Sequence, residues 1–356
     1  MNRHLIDSIY NPGVTNCVNE LESYLPSDRT SFFAYARIAL RKGLIYLGLK
    51  RGDTVLIPSF ICSDILDSFF GSGINLEFYT VKKNLENDFN GMEKLIKKGG
   101  KGILFVNYFG FPQPIEGMTA LAKKYGIFLM EDNAHGFLSK SKGHLLGFRG
   151  DIGIFCLRKT VSLPNGAALV SNHSQKIKAL GNKLPTEDKT VKLNNSREIK
   201  YYLKEYVRPI MGFGGPAFRC AVLNTFRRLK RHIRFFEGEG MPGSRQLPTE
   251  SFSPISKSLL EKIDFQKEIT RRRKLYFEIK EYIEGIKNCS SVFDNLPEEV
   301  VPYGYPFYYD GENMEVFMKF LWNEGLPALN WPDLPEEVMD SVPDYYKRLI
   351  LVPFLW

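Results

Sequence analysis

A chain of 356 residues, 44% apolar and 25% charged, is long and apolar enough for a large core, which excludes a globally disordered polymer. Its 48 basic against 40 acidic side chains leave a net charge of +8, suited to anionic ligands, but the basic residues are spread along the chain and no nucleic-acid-binding motif accompanies them. The opening MNRHLIDSIYNPG lacks the apolar stretch of a signal peptide, no uncharged run reaches transmembrane length, and the five cysteines (Cys17, Cys62, Cys156, Cys220, Cys289) show no metal-ligand spacing, so a cytoplasmic protein with reduced thiols and no metal is expected.

Residues 1–30 carry few signals and predict an arm with a short helix over 16–24. Ile38, Leu40, Leu44, Ile45 and Leu47 recur on one helical face over 34–49, which Gly48 closes. Strand-like and helix-like stretches then alternate: strand 54–58, helix 63–70, strand 76–81, helix 91–98, strand 103–108, helix 115–125. Asp88 and Asn90 read as polar loop residues. Alternation at these lengths implies βαβ units, an α/β fold with a mostly parallel central sheet and helices on both faces.

The run Ile127-Phe128-Leu129-Met130 stops at Glu131-Asp132. A polar turn with His135, a glycine-rich loop, a second apolar run over 152–157, Arg158-Lys159 and a third run over 167–170 follow. Short apolar runs bounded by turn residues predict strands buried on both faces, and ligands of open α/β sheets bind at the carboxyl ends of such strands. Asp132 and Lys159 fall at two of these ends. An amine and a carboxylate there suit pyridoxal 5'-phosphate, which needs a Schiff-base lysine and an acid that keeps its pyridine nitrogen protonated. From spacing alone the commoner reading is a surface lysine and a helix-capping aspartate. His135, taken alone, is more often structural than functional.

After residue 172 the alternation ends. Residues 174–236 are polar, basic and helical in pattern, 238–248 is loop-like, and 258–286 predicts one long helix with Arg271-Arg272-Arg273 on its solvated side. A strand over 303–309 and a helix over 313–323 complete a small C-terminal α+β domain. The expected division is 1–240 for the arm and large domain, including the basic segment 195–236, and 241–356 for the long helix and small domain. Within the basic segment, residues 218–236 place Phe218, Val222, Phe226, Leu229, Ile233 and Phe236 at helical spacing among six basic side chains. That face is expected to pack on the large domain or a neighbouring subunit, with peripheral contact to an anionic membrane as the alternative.

Several ordered motifs resemble the DegT/DnrJ/EryC1/StrS family of sugar aminotransferases. Glu131-Asp132-Asn133-Ala134-His135-Gly136 is similar to E-D-[AN]-A-[QH]-x-G. Gly147-Phe148-Arg149-Gly150-Asp151-Ile152-Gly153 resembles G-S-x-G-D-x-G, and Arg51-Gly52-Asp53-Thr54-Val55-Leu56-Ile57-Pro58-Ser59-Phe60 resembles G-D-x-V-[IL]-x-P-[AS]-[FY]. Lys159, followed by Pro164-Asn165-Gly166-Ala167-Ala168, resembles the lysine and its P-x-G-G-A-like turn. The matching features run over about 34–172.

The resemblance implies the fold type I architecture of pyridoxal phosphate enzymes, a homodimer, and transfer of an amino group from an amino acid such as glutamate to a nucleotide-linked keto-sugar in glycan biosynthesis. Lys159 would form the Schiff base and shuttle a proton, Asp132 would pair with the ring nitrogen, and His135 would lie near the phenolic oxygen. Ala36 and Arg37 stand where the family's S-G-[TR]-x-A-L helix start receives the phosphate. Cys156 replaces a phosphate-binding serine, and Cys62 an aromatic that stacks on the ring. Arg158 would contact an anionic group of the substrate or pair with a carboxylate. Trp331 would end near the active site or pack in the core. Phe252-Ser253-Pro254-Ile255 stands where the family has an N-Y-R-M-like segment, and a further helix is expected after Pro353-Phe354-Leu355-Trp356. The alternatives are a sugar dehydratase on the same fold, although the dehydratases of this family carry histidine in place of the lysine, and a non-catalytic member serving as a binding partner.

Overall fold

The computed structural model describes residues 20–187, 198–203, 205–206 and 247–355. Cys17, Cys220 and the basic stretch 218–236 lie outside the described residues.

Strands β1 (Thr30–Phe33), β2 (Thr54–Pro58), β3 (Asn75–Tyr79), β4 (Gly100–Val106), β5 (Phe128–Asn133), β8 (Ile152–Phe155) and β9 (Ala167–Ser171) form a seven-stranded sheet, with β6 (Lys140–Ser141) and β7 (His144–Leu145) as a separate hairpin. The order is β1-β9-β8-β5-β4-β2-β3. The pairs from β3 through β8 are parallel, while β9 runs antiparallel to both β8 and β1. Every residue of β8 and β9 is buried, as a strand covered on both faces requires. Helix α1 (Ala36–Tyr46) packs on β8 and β9, α2 (Phe89–Lys97) on β3 and β4, and α3 (Ile115–Tyr125) on β5.

The single turn α4 (Leu157–Thr160) follows β8. Beyond it, α5 (Pro254–Leu260) and α6 (Phe265–Glu284) lead to a second sheet of β10 (Cys289–Ser291), β11 (Gly304–Tyr309), β12 (Leu329–Asn330) and β13 (Leu349–Pro353). Its order is β10-β11-β13-β12, all antiparallel, with α6 packed on β10 and β11 and α7 (Met314–Asn323) inserted before β12. One apolar core joins the two sheets, running from Phe33 and Leu56 through Tyr305 and Leu351 to Phe354.

Several expectations are corrected. The strand over 167–170 is antiparallel to its predecessor, because the link from β8 holds one helical turn, too little for a parallel crossover. The helix expected over 63–70 is a tighter 3₁₀ segment, Ser63–Ser68. The strand expected to reach residue 108 ends at Val106, and Tyr108–Gly110 forms a tight turn with Phe109 at φ +56°. The long helix expected over 258–286 is two helices, because Asp264 caps α6 by accepting the Lys267 N–H at 3.0 Å. Asp88 is not a plain loop residue: it caps α2, its carboxylate accepting the Asn90 N–H at 3.2 Å. Arg272 is not solvated; it is 0% exposed.

Candidate functional site

The site grows from the carboxyl ends of adjacent parallel strands. Asp132 is the penultimate residue of β5, paired in register with Ile154 of β8, and Lys159 lies just past β8 on α4. Lys159 was expected directly after a strand; the intervening Cys156 instead opens a helical turn that lifts the amine above the sheet edge. Asn107, beyond β4, fixes the next strand end: its N–H donates to Asp132 O at 3.0 Å and its amide to Asn133 Oδ1 at 2.6 Å. Glu131 faces away from this edge and accepts the N–H groups of Gly147 at 2.9 Å, Arg149 at 2.7 Å and Gly150, which shapes the glycine-rich loop. Gly147 has φ +88°, and a Cβ there would meet Asn133 Nδ2 at 2.3 Å, so the loop passes too close for any side chain.

Lys159 Nζ stands 3.2 Å from His135 Nε2. His135 is 3% exposed and lies between two rings nearly parallel to its own, Tyr303 at 4.4 Å and Phe109 at 5.5 Å between centroids. The stack is tied through the backbone: Phe109 N–H donates to His135 Nδ1 at 3.4 Å, and Tyr303 N–H donates to Phe109 O at 2.9 Å. Burial first, and the charge of Lys159 second, hold His135 well below the ordinary histidine range, so the ring is neutral. The roles within the Nε2–Nζ pair follow the tautomer of the ring: an ammonium donates to a bare Nε2, and a free amine accepts from Nε2–H.

Burial lowers the Lys159 amine, while the anionic forms of Tyr303, Cys156, Cys62 and Asp132 raise it and prevail. Asp132 is the one carboxylate among them. Burial pushes the Asp132 carboxyl up, against the Ala134 N–H that donates to it at 2.8 Å and against Lys159. Burial likewise pushes the Cys62 thiol up to about 11, so Cys62 is a neutral thiol rather than a thiolate.

The anion-facing side is the start of α1. Ile38 and Ala39 donate back to Tyr35 O at 3.0 and 3.1 Å, which leaves the Ala36 and Arg37 amides as the helix's remaining N-terminal donors. Tyr35 gives no side-chain cap, and no acidic residue occupies the first turn. Arg37 lies 5.4 Å and Arg158 6.0 Å from the centroid of the Tyr35 ring. Two carboxylates of this chain already hold Arg37, Asp64 and Asp67 each at 3.3 Å. Asp64 also lies in the field of Lys159, Arg158 and Asp333, and burial raises its carboxyl above the usual range.

Lys159, His135, Asp132, Cys62 and Cys156 thus gather around one amine, and Ala36, Arg37 and Arg158 lie on the neighbouring anion-facing side. Trp331 is 8% exposed and packs edge-on against His135 at 5.2 Å and Phe60 at 5.4 Å; it is a core residue backing the site. Sequence reading missed Tyr303, taken as a strand aromatic, and also Phe109, Asp64 and Arg272. Nothing in their local patterns marks them, since each reaches the site by chain folding. An amine, a buried carboxylate and a helix start with two open amides form a donor set that fits pyridoxal 5'-phosphate, with its aldehyde, basic ring nitrogen and phosphate. Among the described residues no helix is long and apolar enough to cross a membrane.

Residues 20–182 match the DegT/DnrJ/EryC1/StrS aminotransferase family. A GDP-perosamine synthase of Escherichia coli O157:H7 is 30% identical over 138 residues, 38% of this chain and 38% of that protein. A GDP-4-keto-6-deoxy-D-mannose 3-dehydratase of Yersinia pseudotuberculosis is 31% identical over 107 residues, 30% of this chain and 27% of that one. The chain therefore matches less than half the length of these curated relatives. Among solved structures, PseC of Helicobacter pylori, an aminotransferase involved in the biosynthesis of pseudoaminic acid, superposes with a TM-score of 0.63 at 16% identity, covering 99% of this chain and 90% of that one. A DegT DnrJ EryC1 StrS aminotransferase from Brucella abortus gives 0.59 at 17%, covering 94% and 83%. At these identities the superpositions establish the fold, that of the fold type I pyridoxal phosphate aminotransferases.

Proposed function

We propose that the protein, whose residues 20–182 match the DegT/DnrJ/EryC1/StrS aminotransferase family, is a pyridoxal 5'-phosphate-dependent aminotransferase that moves an amino group from an amino acid, glutamate for preference, to a nucleotide-linked keto-sugar. The observation that carries this reading is the half-buried Lys159 amine, 3.2 Å from a neutral His135 and one strand away from the buried Asp132. Lys159 would hold the cofactor covalently, Asp132 would keep a proton on its ring nitrogen, and Ala36 and Arg37 would receive its phosphate at the start of α1. Bound there, the cofactor supplies an electron sink for the carbon that carries the substrate amine.

The chain's own groups do the rest. Lys159 Nζ would be the base that removes a proton at the substrate carbon and returns it. His135 orients that amine through Nε2, and the Phe109–His135–Tyr303 stack fixes the ring that does so. Arg158 would meet an anionic group of the substrate. The product serves surface-glycan synthesis in the cytoplasm, and a homodimer is the expected assembly, to be checked by light scattering.

A test is the visible spectrum of the purified protein incubated with pyridoxal 5'-phosphate, before and after borohydride, beside Lys159→Ala. A yellow band that borohydride fixes onto Lys159, absent from the variant, is expected. No band and no retained cofactor in the wild type would favour a non-catalytic binding partner. The similarity to a 3-dehydratase supports a second reading, a PLP-dependent sugar dehydratase. Product analysis with and without an amino donor separates them: an aminated sugar formed only with the donor is expected, and a deoxygenated sugar formed without it would reverse the assignment.

A further inference from the structure

Arg272, on α6, is 0% exposed, yet its guanidinium is fully employed. A guanidinium has five N–H groups. Nε donates to Glu268 Oε1 at 2.6 Å, Nη1 to Pro302 O at 3.1 Å and Tyr303 O at 3.0 Å, and Nη2 to Thr160 O at 2.5 Å and Lys159 O at 3.3 Å. Five donors meet five acceptors. Four of those acceptors are backbone carbonyls of the segments carrying Lys159 and Tyr303, which approach the site from the large and small sheets. Two lie at the end of α4, where a cation suits the carbonyl dipoles.

Glu268, 3% exposed, holds the fork in place and is itself held by Arg271, whose Nε donates to Oε2 at 2.8 Å and whose Nη2 donates to Oε1 at 2.5 Å. Arg271 Nη2 also donates to Phe354 O at 3.0 Å, which fastens the pair to the chain beyond β13. A buried ion pair is a poor source of stability, because desolvation offsets its attraction. Its directional bonds fix geometry instead. A lysine cannot substitute for the fork, since an ammonium is a single point with three donors and cannot span two pairs of carbonyls on opposite sides.

We propose that Arg272, oriented by Glu268, is a positioning residue for the amine site: it locks the Lys159 turn to the Tyr303 segment and so holds the Lys159 amine against His135 and over the Tyr303 ring, whose centroid is 5.8 Å from Nζ. Arg272 touches no reacting group; it acts through the backbone of two residues that do. The inference rests on the reading of Lys159 as the cofactor-binding lysine.

The experiment uses the full chain and two variants. Arg272→Lys keeps the charge and loses the fork. Arg272→Met combined with Glu268→Leu removes the two buried partners together and leaves Arg271, 12% exposed in its side chain, with the Phe354 carbonyl. Three quantities are measured: the thermal midpoint, the rate of acetylation of Lys159 against pH by peptide mass mapping, and borohydride trapping of pyridoxal 5'-phosphate. Expected are thermal midpoints within about 5 °C of wild type for the double variant, a shift in the pH profile of Lys159 acetylation in both variants, and trapping at least ten-fold slower. Unchanged acetylation profiles and trapping in folded variants would overturn the proposal and leave Arg272 a packing residue. Should the double variant not fold, Arg272→Lys decides by the same readouts. A wild type that traps no cofactor removes the functional reading, and the acetylation profile then judges the positioning role by itself.

Discussion

At the residue scale the start of α1, proposed to receive the phosphate, holds more negative charge than an anion site wants. Asp64 and Asp67 already neutralise Arg37 at 3.3 Å each, and Asp333 stands nearby, its Oδ2 accepting the Ser63 hydroxyl at 2.9 Å. A dianionic phosphate at the start of α1 must compete with them. Asp64→Asn is therefore expected to tighten binding of pyridoxal 5'-phosphate about ten-fold, roughly 1.4 kcal/mol, read by titration of the visible band with inorganic phosphate as competitor. Weaker binding would mean that Asp64 orients Arg37 rather than competing for it. The sequence marked Lys159, Asp132 and His135 because a motif holds them at fixed spacing beyond two strands. Asp64 and Tyr303 carried no such mark: a carboxylate after a strand and a tyrosine in an aromatic run are common, and only their neighbours give them meaning.

At the element scale the caps and strand ends set the geometry. Asp264 separates α5 from α6, and its carboxylate accepts the Lys267 N–H at 3.0 Å. Asp264→Ala is expected to cost about 1 kcal/mol by chemical denaturation, as the loss of a helix cap does. Because α6 carries Arg272 and Glu268, a larger effect on cofactor trapping than on stability is also expected. A stability loss below about 0.3 kcal/mol would show that the helix start is held by packing instead. The strands from 54 to 133 and the helix Ile115–Tyr125 were legible because apolar runs and breakers alternate cleanly. The direction of β9 was not legible, since parallel and antiparallel buried strands share one apolar pattern and only the length of the connection separates them. Nor was the burial of Arg272, because an arginine triplet on a helix looks solvated until its acceptors arrive from other segments.

For the whole molecule, the apolar cluster shared by both sheets predicts one cooperative transition. Leu351, 0% exposed, lies on β13 between β11 and β12, and Leu351→Ala is expected to cost about 2–5 kcal/mol while near-UV and far-UV signals still lose structure together. Separate transitions would show that the small sheet unfolds independently. Acid sensitivity has a traceable part. Burial raises the Glu268 carboxyl, but the charges and hydrogen bonds of Arg271 and Arg272 outweigh it and hold the group below the ordinary glutamate value. Its contribution is thus fully present above the unfolded-state value and is lost as pH falls through the folded one, whereas Glu131 and Asp132, raised by burial, act in the opposite sense. Glu268→Gln is expected to lower the thermal midpoint at pH 7 and to flatten its fall between pH 5 and 3; an equally steep fall would assign that loss to other carboxylates. By itself the sequence determined the α/β class and the strand ends on which Asp132 and Lys159 stand, because strand periodicity is local, and it singled out the lysine, carboxylate and histidine through their resemblance to a family's ordered motifs. Only the tertiary structure decided what surrounds the amine: the Phe109–His135–Tyr303 stack, the Asp64 and Asp67 counter-charges and the Arg272 fork all join residues distant along the chain, and the packing that joins them leaves no periodic trace in any one segment.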